Sequence, residues 1–404
     1  MSRVCQFCEK ILSPNDIGCV SQINGELICE KCIKRCNQMI LSRGKAEKAN
    51  KKIKKMVPME IKSELDKHII GQEDAKVSIA IAVYNHYKRM NIESDVKIAK
   101  SNVLLLGPTG SGKTLIAQTV AKLLDVPFAI ADCTSLTEAG YVGEDVENVL
   151  YKLLNAADGD VSKAEKGIVF LDEIDKIACS RLGANLSKDP SGEGVQQALL
   201  KLIEGTVANV SSSGGRKNPN DKFIEINTEN ILFICGGAFQ GLEKIINKRV
   251  QTKTTSIGFG ANVEKEKDKT VGEAFKEVST EDLIEFGLIP ELIGRLPIVV
   301  SLDELTEDAM VEILTKPKNS LVNQYKEIFK YDGVDLDFTT ESLRDIARET
   351  MKRKTGARGL RGILEEILKE SMFTIPSDGD IVKCIVKEGG KIDLIRKEGQ
   401  KTAC

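Results

Sequence analysis

The chain has 404 residues, 41% hydrophobic and 29% charged, with 58 basic side chains against 60 acidic ones and a formal net charge of −2. That length holds two or three domains with sizeable cores, while the balanced charge excludes a protein held to nucleic acid or an anionic membrane by its overall field. No apolar run approaches the ~20 residues of a membrane helix; the opening MSRVCQFCEK has no apolar signal core, so a cytoplasmic protein is expected. With only His68 and His86 in the chain, chemistry that needs a histidine triad or a multi-histidine metal site is improbable.

Six of the 11 cysteines fall in the first 36 residues. Cys5-x2-Cys8, then twenty residues, then Cys29-x2-Cys32 is close to the spacing of a structural zinc site, and four thiolates suit tetrahedral Zn²⁺. The segment is too short to fold on a hydrophobic core, so the metal supplies the folding energy. Cys19 and Cys36 are spare. Residues 43–55, RGKAEKANKKIKK, carry seven basic residues and one acidic one. With no aromatic residue interleaved for base stacking, they read as a solvated linker rather than a nucleic-acid arm.

From Pro58 the pattern becomes helical: Val77, Ile81 and Tyr84 fall on one stripe, with Ala80 and Val83 beside them. The corner His68-Ile69-Ile70-Gly71 reads either as an apolar wall for an adenine base, through Ile69 and Ile70, or as a simple helix start. Val103–Leu106 is an apolar run fit for a buried strand, and Gly107-Pro108-Thr109-Gly110-Ser111-Gly112-Lys113-Thr114 matches G-x-x-x-x-G-K-[ST]. The glycines let backbone N–H groups approach phosphate oxygens. The helix opening near Gly112 and running on through Leu115 adds the positive end of its dipole. Lys113 reaches the outer phosphates and the Thr114 hydroxyl coordinates Mg²⁺, so the stretch binds ATP or GTP. Apolar runs and charged helical segments then alternate in the manner of a parallel βαβ sheet. In GIVFLDEIDK, Ile168–Leu171 makes a second buried strand ending in Asp172-Glu173. There Asp172 is read as the residue of the Mg²⁺ shell and Glu173 as the carboxylate that polarises the attacking water.

Beyond about residue 306 the chain reads as a smaller helical domain. Thr306 N-caps a helix that ends before Pro317, ESLRDIARETMKRK forms a second and GLRGILEEILKESMF a third. IVKCIVKEGGKIDLI alternates like a pair of edge strands, and the tail from Gly399 reads as frayed.

GPTGSGKT together with FLDEID resembles the AAA+ ATPases. The zinc module fused to this ATPase, Gly140-Tyr141-Val142-Gly143, SGEGVQQALLKLIEGT and GARGLRGILE narrow the likeness to the ClpX family of hexameric unfoldases, over nearly the whole chain. The resemblance implies an α/β fold: a parallel sheet flanked by helices, a small C-terminal helical α+β subdomain and a treble-clef-like four-cysteine zinc module. The expected division is a zinc module at 1–42 for substrate or adaptor binding and dimerisation, a basic linker at 43–57, a large ATPase domain at 58–305, a small domain at 306–396 and a tail at 397–404.

The same resemblance implies a homohexamer that uses ATP to unfold proteins bearing unstructured tags and threads them into the ClpP peptidase. It places Tyr141 and Val142 in the axial channel, where an aromatic between small residues can press on any polypeptide without reading its sequence. It places a second channel loop around Lys188 and Asp189. Arg295 matches the family's arginine finger, whose guanidinium forks onto a neighbour's γ-phosphate, and Arg358 its second sensor arginine. Ile257-Gly258-Phe259, an apolar tripeptide in a polar stretch, matches the loop that docks on ClpP. The family's channel-entrance loop reads Arg-Lys-His; here it is Arg216-Lys217-Asn218, so two positive charges remain to attract an acidic terminus and the histidine is gone. Two rivals are weighed against this. The basic stretch and the four cysteines suggest a zinc-finger nucleic-acid motor or clamp-loading ATPase, which the ordinary net charge and the aromatic–glycine loop oppose. A non-hydrolysing scaffold is opposed by Glu173.

Overall fold

In a computed structural model of the chain, the described residues are 4–8, 11, 18–20, 27–36, 56–92, 95–96, 98–137, 144–179, 190–211, 223–254, 270–397 and 401–403. They fall into two units, Met1–Ile53 and Lys54–Cys404. In the first, β1 (Gly18–Val20) pairs antiparallel with β2 (Leu27–Cys29), and a short helix α1 (residues 30–36) follows directly. Its buried core among the described residues is only Cys5, Leu27 and Cys29. So small an apolar area cannot offset chain entropy, and the cysteine cluster has to supply what the core lacks.

The second unit opens with α2 (Pro58–Asp66) and α3 (Glu73–Arg89). The Val77–Ile81–Tyr84 stripe is not the inward face of α3. Ile79, Ala80, Val83, His86 and Tyr87 are buried, while Val77 and Ile81 are 41% and 46% exposed. Polar partners turn the helix this way. Lys76 is drawn inside by the carboxylates of Asp66 and Glu73, His86 Nε2 meets the Asn230 carbonyl at 3.0 Å, and the Tyr87 hydroxyl donates to the Lys166 carbonyl at 3.0 Å.

Then comes the parallel sheet. β3 (Val103–Leu106) leads through the phosphate loop into α4 (Lys113–Leu124), followed by β4 (Phe128–Asp132). The short parallel pair β5 (Leu136–Thr137) and β6 (Glu144–Asp145) precedes α5 (Asn148–Ala156), α6 (Val161–Ala164) and β7 (Ile168–Asp172). After α7 (Pro190–Glu204), β8 (Val207–Ser211) and β9 (Phe223–Asn227) pair antiparallel, and β10 (Leu232–Gly237) returns to the sheet. Helices α8 (Leu242–Thr254), α9 (Val271–Lys276), α10 (Thr280–Phe286) and α11 (Pro290–Gly294) lead to β11 (Ile298–Ser301). Strand order is β11-β3-β10-β7-β4, all parallel. Every residue of β3 and β10 is buried, as expected of strands covered on both faces. At the sheet edge β4 alternates and leaves Ile130 41% exposed.

The small domain holds α12 (Glu307–Thr315), α13 (Leu321–Tyr331), β12 (Asp335–Phe338), α14 (Thr340–Lys352), α15 (Arg358–Thr374), β13 (Ile381–Val386), β14 (Ile392–Arg396) and β15 (Lys401–Ala403). Thr306 caps α12 as read, accepting from the Ala309 N–H at 3.2 Å. Two expectations are corrected. The alternating pair β13 and β14 lies in the middle of a four-stranded sheet, β12-β13-β14-β15, rather than at its edge. Lys401–Ala403 pairs with β14 where a frayed tail is expected. β12, from far back in the chain, covers the free edge of β13 in parallel, and β15 covers that of β14. No helix among the described residues is long and apolar enough to cross a membrane.

Candidate functional site

The loop from Gly107 to Thr114 turns at the carboxyl edge of the sheet, where open α/β folds place their ligands. Beside it is a cavity of about 420 Å³ lined by Thr109, Gly110, Gly112, Lys113, Thr114 and Leu115 from the loop and α4. Asp172, Glu173, Asp175 and Lys176 line it from the end of β7, Ala238 and Gln240 from the end of β10, and Ala357 and Arg358 from the small domain. The volume is in the range of small-molecule sites. Lys113, 9% exposed, donates back to the Gly107 and Pro108 carbonyls at 2.5 and 2.9 Å. Burial draws its ammonium down to about 8, against the pull of Asp172. Ser111 Oγ is buried with no hydrogen-bond partner among the described residues. A buried ammonium and an unpartnered hydroxyl on one glycine-rich loop fit the oxygens of a phosphate.

The Thr114 hydroxyl donates to Asp172 Oδ2 at 3.1 Å. These are hard oxygen donors of the kind Mg²⁺ takes, and the pair fits that ion. Glu173 follows in the left-handed region, φ 56°, its N–H donating to Asp172 Oδ1 at 3.0 Å. A residue with a β-carbon gives up about 1–2 kcal/mol there, and such strain gathers where geometry serves function. The turn also brings in buried Asp175, whose Oδ1 accepts from the Ala238 N–H at 3.2 Å and ties β7 to β10.

The small domain meets the loop backbone to backbone. Ala357 N–H donates to the Gly110 carbonyl at 3.3 Å. Gly110 (φ 77°) and Gly356 (φ 60°) face each other so closely that a β-carbon on Gly110 would lie 2.8 Å from Gly356 Cα, and one on Gly356 would collide with the Thr109 carbonyl. The contact sets Arg358, at the start of α15, into the cavity wall.

Arg295 is elsewhere. It caps α11, is 55% exposed and forks onto Glu204 at 2.7 and 2.8 Å. Its carbonyl accepts from Asn102 Nδ2 at 3.0 Å. Asn102 stands at the opposite end of β3 from Gly107, five residues or about 16 Å along the strand at ~3.3 Å per residue. Ile69 is buried and Ile70 half-buried, and neither lines the cavity. Their corner is held by Gln72, which exchanges two 2.9 Å hydrogen bonds with the Asp303 backbone just beyond β11.

Among the described residues of the first unit, Cys5, Cys8, Cys29 and Cys32 bring four sulfurs within 4.8 Å of one another. Cys8 and Cys29 are 3.8 Å apart, the edge of a tetrahedron of sulfurs about 2.3 Å from a zinc ion. The Cys29 N–H donates to Cys5 Sγ at 3.2 Å and draws that thiol down to about 6, while hydrogen bonding to Cys8 pushes Cys32 up to about 12. Four sulfurs so close cannot all ionise until a dication shares them. Two cysteines before a hairpin, one at the end of its second strand and one in the first turn of the following helix make the treble-clef arrangement, and the set fits zinc. Cys36, at the end of α1, is not part of it.

Tyr141, Val142, Lys188, Arg216, Lys217, Ile257, Gly258 and Phe259 lie outside the described residues. Sequence reasoning missed Asp175, Lys176, Ala238, Gln240 and Ala357. The second aspartate of LDEID and the Gly-Gly that ends the apolar run before Ala238 are the signals that point to two of them.

Comparison with known proteins agrees with this geometry. An AAA domain family (Cdc48 subfamily) matches residues 98–299, and the C-terminal D2-small domain of ClpB protein matches residues 305–388. The ATP-dependent Clp protease ATP-binding subunit ClpX of Treponema denticola is 52% identical over 377 residues, 93% of this chain and 90% of that protein. The proteins of the same name from Borrelia duttonii and Borrelia recurrentis are each 52% identical over 387 residues, 95% of this chain and 89% of theirs. With a parallel ATPase sheet, a small domain seated on the phosphate loop and a four-cysteine cluster in one chain, this protein belongs to the ClpX family of AAA+ ATPases, ATP-dependent unfoldases.

Proposed function

We propose that the chain works in the cytoplasm as a ring of six, hydrolysing ATP at sites shared between subunits to thread tagged proteins into the ClpP peptidase. The observation that carries this is the split of the machinery. Lys113, Thr114, Asp172, Glu173 and Arg358 gather on one cavity, while the Arg295 backbone is held at the far end of β3 and its guanidinium rests on Glu204, placed to serve a neighbour's loop rather than its own. Lys113 holds the outer phosphates, and Arg358 carries the small domain with the nucleotide. Thr114 and Asp172 hold Mg²⁺, which when bound neutralises phosphate charge. Glu173 polarises the attacking water and Arg295 stabilises charge on the transferred phosphoryl group. Tyr141 and Val142, with Lys188, Arg216 and Lys217, line the channel, and Ile257-Gly258-Phe259 docks the ring on ClpP. Zinc on the four cysteines holds a module for substrates or adaptors, tethered by the basic stretch at 43–57.

The test gives the purified chain ATP and a stably folded protein with an unstructured terminal tag. Loss of the folded signal should require ATP and disappear in Glu173→Gln and in Tyr141→Ala. Unfolding that persists unchanged in Tyr141→Ala removes the channel role. Deleting residues 257–259 should abolish degradation with added ClpP while leaving ATPase activity in place.

A further inference from the structure

Helix α7 touches both halves of the divided machinery through a single buried amide. Gln196, midway along α7, has no exposed surface. Its Nε2 donates to the Ile177 carbonyl at 2.8 Å and to the Gly287 carbonyl at 3.3 Å, and its Oε1 accepts from the Ile289 N–H at 2.8 Å. Only one orientation of the amide satisfies all three partners, because two are carbonyls and the third is an N–H. Ile177 ends the short 3-10 turn that begins at Ile174, directly after Asp172 and Glu173. Gly287 and Ile289 lead into α11, which Arg295 caps. The two segments also join directly, Cys179 N–H to Gly287 carbonyl at 3.0 Å. At its C-terminal end α7 reaches the same arginine again through Glu204.

We propose that Gln196 is a positioning residue that fixes the Glu173 turn and the Arg295 helix as one rigid piece, so that the carboxylate used at the subunit's own site and the guanidinium lent to its neighbour are set together. This rests on the reading of Arg295 as acting on a neighbouring subunit's nucleotide. A general packing role is a poor account of three directed hydrogen bonds from a buried glutamine, since an apolar side chain of the same volume fills that space without needing partners. Displacing a catalytic group by about 1 Å lowers rates by up to about 100-fold without any loss of binding contacts.

The experiment measures kcat and KM for ATP, fluorescent-nucleotide affinity and thermal midpoint in Gln196→Met, Arg295→Ala and the double variant, all as full-length chains. The expected result for Gln196→Met is a kcat about 10- to 100-fold lower with nucleotide affinity within about threefold of the parent, and no further loss when Arg295→Ala is added, because both act on one step. Should Gln196→Met fail to fold, Gln196→Glu, which keeps the oxygen facing Ile289, takes its place in the same comparison. Parental kcat in the glutamine variant beside a crippled Arg295→Ala overturns the positioning role alone, as do losses that multiply in the double variant. Parental kcat in Arg295→Ala overturns the reading of Arg295, and the positioning role with it.

Discussion

Gly110 and Gly356 are one joint in two pieces. Each has φ in the left-handed region, and each occupies the space a β-carbon on the other would need. Between them they let the small domain lie on the phosphate loop and bring Arg358 to the cavity. Gly356→Ala adds a collision with the Thr109 carbonyl to a strained backbone, an effect of order 1–3 kcal/mol. Nucleotide binding should weaken about tenfold, the equivalent of ~1.4 kcal/mol, as read by fluorescent-nucleotide titration. Gly379→Ala, with nothing within 4 Å of the added carbon, is the matched control and should bind as the parent does. Equal affinity in the two variants would detach the small domain from nucleotide binding. A pattern search finds the loop through Gly107, Gly112 and Lys113 without any partner. That Gly110 needs Gly356, 246 positions away, is invisible until both are in place.

Elements buried on both faces are legible in the sequence and half-buried ones less so. β3 and β7 stand out because central parallel strands are continuous apolar runs. With them come the loop and the Asp172-Glu173 end, and so most of the nucleotide site. β12, Asp-Leu-Asp-Phe, is too short and polar to be noticed before its partner β13 is known. In α3 the apolar stripe misleads because Lys76 and His86 are inside it. Of their partners, Asp66 and Asn230 lie on other elements and Glu73 stands at the first turn of α3 itself. His86 gives that face a pH signature. Its Nε2 faces a carbonyl and must carry the proton, leaving Nδ1 bare and without a partner among the described residues. Burial holds the ring down to about 3, with Arg89 and Lys100 nearby adding to the shift. An unfolded histidine titrates near 6.5. A folded-state value below the unfolded one means that protonation favours unfolding, so this stability is intact above about pH 6.5 and is lost as pH falls toward 3. Between pH 6.5 and 5 the effect is about 2 kcal/mol, at ~1.4 kcal/mol per unit. Urea unfolding at the two pH values should show it in the parent and much less of it in His86→Gln.

At the scale of the molecule, two units stabilise themselves by different means. The ATPase unit has a large core of buried aliphatic side chains on its sheet and a second core in the small domain. The first unit has three buried apolar residues among those described, two of them cysteines of the cluster. Removing zinc with a chelator should therefore abolish the fold of residues 4–36 and leave that of 54–404 standing. Thiol titration should show four newly reactive cysteines, while basal ATP hydrolysis stays within about twofold; a parallel collapse of hydrolysis would mean that the ATPase fold depends on the module. The separation along β3 has a consequence for symmetry. Asn102 holds Arg295 at one end and Gly107 opens the phosphate loop at the other, so a contact that joins the arginine of one copy to the loop of the next is heterologous, head to tail. Head-to-tail contacts of this kind form a ring where the rotation between copies closes and an open filament where it does not. Any open chain of copies has one loop without an arginine at one end and one arginine without a loop at the other, and only closure of the circle removes both loose ends. In the ring proposed above, the strand sets a direction around the circumference as well as carrying the phosphate loop.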